Sequence, residues 1–186
     1  MAAKLVGVDL IVVKTLELYR LKGYHSTSMD EVAQMSGMRK ASLYHYFPSK
    51  QALGVAVLAR VQEHFDREVF RHAYAEGRSP TQRMAGLTRA TENYFFAGEG
   101  GCVVGNLALE TLSHNAVFAK LIRAYFDTWA AAIAHLLKAV MPGMDARRQA
   151  ARYVAEIQGA LMMMQVYRDR RRLRQVSARM KSHFSA

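Results

Sequence analysis

Apolar positions recur along this chain at helical spacing, and no strand-like alternating run stands out. Val8, Val12, Thr15, Leu16 and Tyr19 fall on one face of a predicted helix from Gly7 to Lys22, which Gly23 closes. A second helix opens at Ser28. There Ser28-Met29-Asp30-Glu31 forms a capping box, a hydroxyl for the free amides and a carboxylate reaching back. Val32, Ala33 and Met35 give it an apolar side, and Gly37 breaks it. A short helical segment follows from Arg39 to Phe47. Pro48 stops it, because the residue before a proline avoids the helical region. Ser49 caps a longer helix carrying Leu53, Ala56, Val57, Val61, Phe65, Val69 and Phe70. Its far limit is set by Gly77 and Pro80.

Further helices are predicted over 81–97, 103–113, 116–140, 146–167 and 169–183, with breakers at Gly98 to Gly101, Ser113 to Asn115 and Pro142-Gly143. The expectation is an all-α fold in two parts. One is an N-terminal three-helix domain over 1–50, with a connecting helix over 50–72, and the other is a helical domain over 73–186. Composition agrees: 51% of residues are apolar, enough for a core of normal size, and only three are proline.

Charge sharpens the picture. The net charge of +11 points to a polyanionic partner, usually nucleic acid. The excess sits at the end of the chain, where residues 167–186 hold seven Lys/Arg against one Asp/Glu. The run Arg168 to Arg174 therefore does not itself locate a DNA-reading surface. A solvated helix end is its plain reading, and contact with DNA or lipid is the alternative. A single cysteine, Cys102, excludes an intramolecular disulfide and a cysteine-based zinc site. The apolar stretch Leu5 to Val13 is interrupted by Asp9 and lacks a secretory signal's features, and no apolar run approaches a membrane span. A cytoplasmic protein without a membrane partner is expected. The seven histidines are scattered, so neither metal nor cofactor is expected. No Ser/His/Asp arrangement, paired carboxylates or phosphate-cradling loop supports an enzyme; Glu92, Glu99 and Glu110 stand isolated.

Function is carried by residues 28–47, a helix, a tight turn at Gly37 and a second short helix: a helix-turn-helix pattern. To enter a major groove about 12 Å wide, the second helix needs an apolar anchor inward and polar residues outward. Leu43 and Phe47 anchor it and Met38 plugs the turn. Arg39, Lys40, Ser42, Tyr44 and His45 remain for DNA. Lys50, Thr27 and Ser28 stand at helix starts, where side chains and free amides can meet phosphate.

Gly23 to Ala33, Gly37, Ser42 to Phe47 and Lys50 to Leu53 together resemble the signature of TetR/AcrR repressors, over roughly residues 8–62. The resemblance implies DNA contacts at Lys40, Ser42, Tyr44, His45 and Lys50, with Thr27, Ser28 and Arg39 as additions. It implies a homodimer on a double-stranded operator, and a C-terminal domain that binds a small-molecule effector, dimerises and releases DNA. Tyr94, Phe95, Cys102, Tyr125, Trp129, Met163 and Tyr167 are candidate pocket residues, with ordinary core or interface as the alternative. The helices at 116–140 and 146–167 are candidates for the dimer surface. They carry stripes from Phe118 to Leu137 and from Ala150 to Met164.

The stretch Gly101 to Glu110 is similar to one branch of the family that includes electrophile and oxidant sensors. This leaves open a redox-sensing repressor acting through Cys102. Against it stands the commoner role of a small buried residue, and the branch's assisting lysine aligns near Gln165.

Overall fold

The computed structural model describes residues 7–98 and 100–184; Leu5, Val6 and Glu99, used above, lie outside them. Nine α-helices and no strand occur among the described residues, so the fold is all-α. They are α1 (Val8–Lys22), α2 (Met29–Met35), α3 (Lys40–Tyr46), α4 (Lys50–Glu68), α5 (Pro80–Phe96), α6 (Val103–Thr111), α7 (Ala116–Leu137), α8 (Gly143–Tyr167) and α9 (Arg171–Ser182). A 3-10 turn, Phe70–Tyr74, follows α4 where the sequence pattern continues the helix to 72.

The chain forms two compact units, Met1–Val61 with Val103–Ile122, and Gln62–Cys102 with Arg123–Ala186. This division cuts across the linear one expected near residue 72. The physical reason is α6 and the start of α7, which complete the N-terminal helices. Phe118 meets Tyr24 edge-on at 5.2 Å between ring centroids, and its ring lies where a Cβ on Gly54 would stand.

In the first unit α1 buries Ile11, Val12, Thr15, Leu18 and Tyr19. Val8, expected on that face, is exposed, and Leu16 is half-buried. The Thr15 hydroxyl donates to the Ile11 carbonyl at 2.7 Å, which lets a polar side chain sit in the core.

The second unit is built on aromatic rings. Phe65 lies fully buried between Tyr94, Tyr125 and Trp129, with centroids 4.7, 5.2 and 5.2 Å away. Phe95 stacks on Trp129 at 6.2 Å with 11° between planes.

The apolar stripe of α7, offered by the sequence as a dimer surface, is consumed inside the chain. Phe118, Ile122, Tyr125, Trp129, Ile133, Leu136 and Leu137 are all buried. On α8, Ala150, Val154, Ile157 and Leu161 are buried likewise, while Met162, Met163, Val166 and Tyr167 remain exposed. Arg168 ends α8 in the left-handed region at φ 50°, where it is the one non-glycine residue among those described.

Candidate nucleic-acid interface

The helix-turn-helix is assembled from local signals. The Ser28 hydroxyl accepts the Glu31 N–H at 3.1 Å, and the Glu31 carboxylate accepts the Ser28 N–H at 2.9 Å. This reciprocal cap satisfies two amides that the first turn of α2 would leave open. Gly37 takes φ 65°, and the Met38 N–H returns to the Ala33 carbonyl at 2.9 Å, closing the turn. Leu43 is fully buried and Phe47 nearly so, which fixes the roll of α3. Ser28→Ala is expected to cost about 1 kcal/mol of stability, read by thermal denaturation, since a cap is lost with its reciprocal partner.

With α3 anchored, Arg39, Lys40, Ser42, Tyr44 and His45 are all exposed, as the motif predicts, and Tyr46 joins them. Lys40 is engaged by Asp30 at 2.7 Å, and hydrogen bonding to that carboxylate raises its pKa. The pair is exposed on both sides and yields readily to a phosphate.

Two expected contacts are differently placed. Thr27 is 2% exposed, and its hydroxyl donates to the Gly23 carbonyl at 2.8 Å, so it holds the turn after α1 and presents nothing to solvent. Lys50 is turned onto the same turn. Its ammonium donates to the His25 carbonyl at 3.1 Å and lies 4.5 Å from the Tyr24 ring centre, and partial burial lowers its pKa.

The residue that sequence reasoning missed is Glu110. From α6, its carboxylate accepts the backbone N–H groups of Tyr24 at 3.0 Å and His25 at 2.7 Å. Its carbonyl pairs with His25 Nε2 at 3.0 Å. Gly23, at φ 85°, leaves room for this approach, because a Cβ there would overlap the Glu110 carboxylate. Glu110 thus clamps the segment leading into α2. The carboxylate's partners are main-chain groups, so no side-chain pattern announces it.

In the second unit the candidate pocket residues are scattered. Tyr125 and Trp129 are buried core, and Tyr94 packs on His64 and Phe65. Met163 and Tyr167 face outward. Cys102 is 6% exposed, which agrees with a small buried residue and gives the redox alternative no support. A cavity of about 390 Å³ does exist, between the glycine-rich loop after α5 and the end of α8. Of the seven, it is lined by Phe95, together with Met164 and Gln165.

Residues 11–57 match the family described as bacterial regulatory proteins, tetR family. Residues 80–179 match the family described as transcriptional regulator LmrA/YxaF-like, C-terminal domain. The chain is 32% identical over 127 residues to the transcriptional regulator AcuR of Cereibacter sphaeroides, covering 66% of this chain and 57% of that protein. It is 29% identical over 126 residues to the uncharacterized HTH-type transcriptional regulator YxaF of Bacillus subtilis, covering 64% of each. The matched stretches thus span less than two thirds of either relative. The fold superposes on a TetR transcriptional regulator from Legionella pneumophila with a TM-score of 0.88, at 18% identity, over 97% of this chain and 98% of that one.

Proposed function

Since the chain belongs to the TetR family and is a DNA-binding transcriptional regulator, we propose that it acts as a repressor which a small-molecule effector releases from its operator. The observation that carries the DNA side is the exposed polar face of α3 over a buried Leu43. Arg39, Lys40, Ser42, Tyr44 and His45 are the reading and phosphate-binding set, and Ser28 and Lys50 flank it at helix starts.

Two copies pair so that their recognition helices enter successive major grooves of a pseudo-palindrome. The outward row Met162, Met163 and Val166 on α8 supports pairing there, because apolar side chains this exposed gain by burial against a second copy. An effector held in the second unit favours a state in which the helix pair no longer fits the groove spacing. Its leverage is its difference in affinity for the two states.

Selection from a pool of genomic fragments at physiological salt tests this reading. A recovered palindromic site supports it. Equal retention of all fragments would leave only charge-driven binding.

Glu110→Ala is expected to weaken operator binding about tenfold, because two charge-assisted bonds to the segment before α2 are lost. Fluorescence anisotropy with the selected operator measures it. Affinity equal to the parent's would mean that the clamp does not hold the reading head.

A further inference from the structure

Phosphate binding leaves Asp30 unexplained. The cap of α2 is completed by Ser28 and Glu31, and Asp30 takes no part in it. Its carboxylate stands exposed against the Lys40 ammonium, which lies 2.7 Å from one oxygen and 3.0 Å from the other. Lys40 is the first residue of α3, and the exposed set continues from it through Ser42, Tyr44 and His45. An acid on such a face repels the phosphates of every sequence alike. It is useful there only where DNA offers it a donor.

In a helix-turn-helix the N-terminal residues of the second helix reach the base edges, while the first helix crosses the backbone. On that docking Lys40, which opens α3, reaches the base edges, and Asp30, in contact with its ammonium, reaches them from α2. A carboxylate only accepts hydrogen bonds and an ammonium only donates them. The pair thus presents an acceptor beside a donor. A G·C pair presents the complement in the major groove, with the cytosine N4 amine beside guanine O6 and N7. Both guanine acceptors lie on one side of that amine, where the three donors of an ammonium meet them together. In A·T the acceptors flank the adenine amine on opposite sides, and the thymine methyl fills the outer place.

We propose that Asp30 is a specificity-determining residue that reads one G·C pair in each half-site together with Lys40. Asp30 accepts from cytosine N4, and Lys40 donates to guanine O6 and N7. This rests on α3 being the reading helix, and it adds a base pair and a second helix that reads it.

The experiment uses the full chain. The parent, Asp30→Ala and Lys40→Ala each select from the genomic pool. Anisotropy then measures each against the parent's operator, every single-pair substitution of it, and an unrelated duplex. The parent's site is expected to hold a G·C pair in each half-site whose replacement weakens binding about tenfold or more. Asp30→Ala is expected to bind the unrelated duplex at least as tightly as the parent, since a negative charge is gone. It is expected to bind the operator about tenfold more weakly, with discrimination lost at that G·C position alone. Lys40→Ala is expected to relax the same position. An acid that served only the fold would give neither the opposite signs nor the single position; its loss would lower the melting temperature and shift all sequences together.

The proposal is overturned if Asp30→Ala keeps the parent's base preferences, relaxes an A·T position, relaxes a position that Lys40→Ala does not, or weakens all sequences equally. In each of these cases a palindrome recovered by the parent leaves its sequence-specific binding standing. A parent that retains all fragments equally overturns both readings.

Discussion

Lys40→Ala/Tyr44→Ala loses about a hundredfold or more in operator affinity while the melting temperature stays at the parent's value. Both side chains project from the exposed face of α3 and neither enters the core, which Leu43 and Phe47 supply. Lys40→Ala also removes the exposed pair with Asp30, which contributes little to stability, so the loss falls on the DNA contact. A lysine and a tyrosine reaching bases or phosphates contribute about tenfold or more each. Loss of the lysine also lowers the salt slope of binding by about one, if it meets a phosphate. Anisotropy titrations at several salt concentrations give both quantities. A double variant that still selects the palindrome with parental affinity would remove α3 as the reading helix.

Phe65→Ala is expected to cost about 3–5 kcal/mol of stability, a large share of what a domain of this kind holds. Phe65 is fully buried, and it is the ring around which Tyr94, Tyr125, Trp129, Phe70 and Phe95 gather. Deleting it leaves a hole that flat, mutually contacting rings close only in part. Urea denaturation followed by Trp129 fluorescence measures the loss, because the tryptophan lies 5.2 Å from the missing ring. Phe65→Leu keeps much of the volume and is expected to lose less than half as much. A cost under about 1 kcal/mol for the alanine variant would mean that the rings repack freely.

Legibility from the sequence followed the range of the forces involved. The first three helices could be read because their determinants are local. The Ser28–Glu31 cap, the turn at Gly37 and the stop before Pro48 each act within a few residues. The outward set on α3 followed from one buried residue, Leu43. The Glu110 clamp was invisible because it joins α6 to main-chain amides more than eighty residues upstream. Tyr125 and Trp129 read as pocket or core alike, because aromatic side chains serve both equally well; their packing among the rings of the second unit is the part that needed the structure. The α7 stripe read two ways for the same reason: its width suits a partner helix, and most of it is buried within its own chain.

The N-terminal unit is discontinuous in the chain, closed by α6 and the first turns of α7. Anyone transplanting this DNA-binding head onto another sensor must therefore move two pieces of sequence together. A head cut after α4 would bare the Tyr24 and His25 amides and the side of Gly54 that Phe118 covers. A chimera that keeps Val103–Ile122 with its own α1–α4 retains both. Inheritance between such regulators should follow the same seam, with exchanges tolerated where the donor's α6 carries an acid facing the glycine after α1.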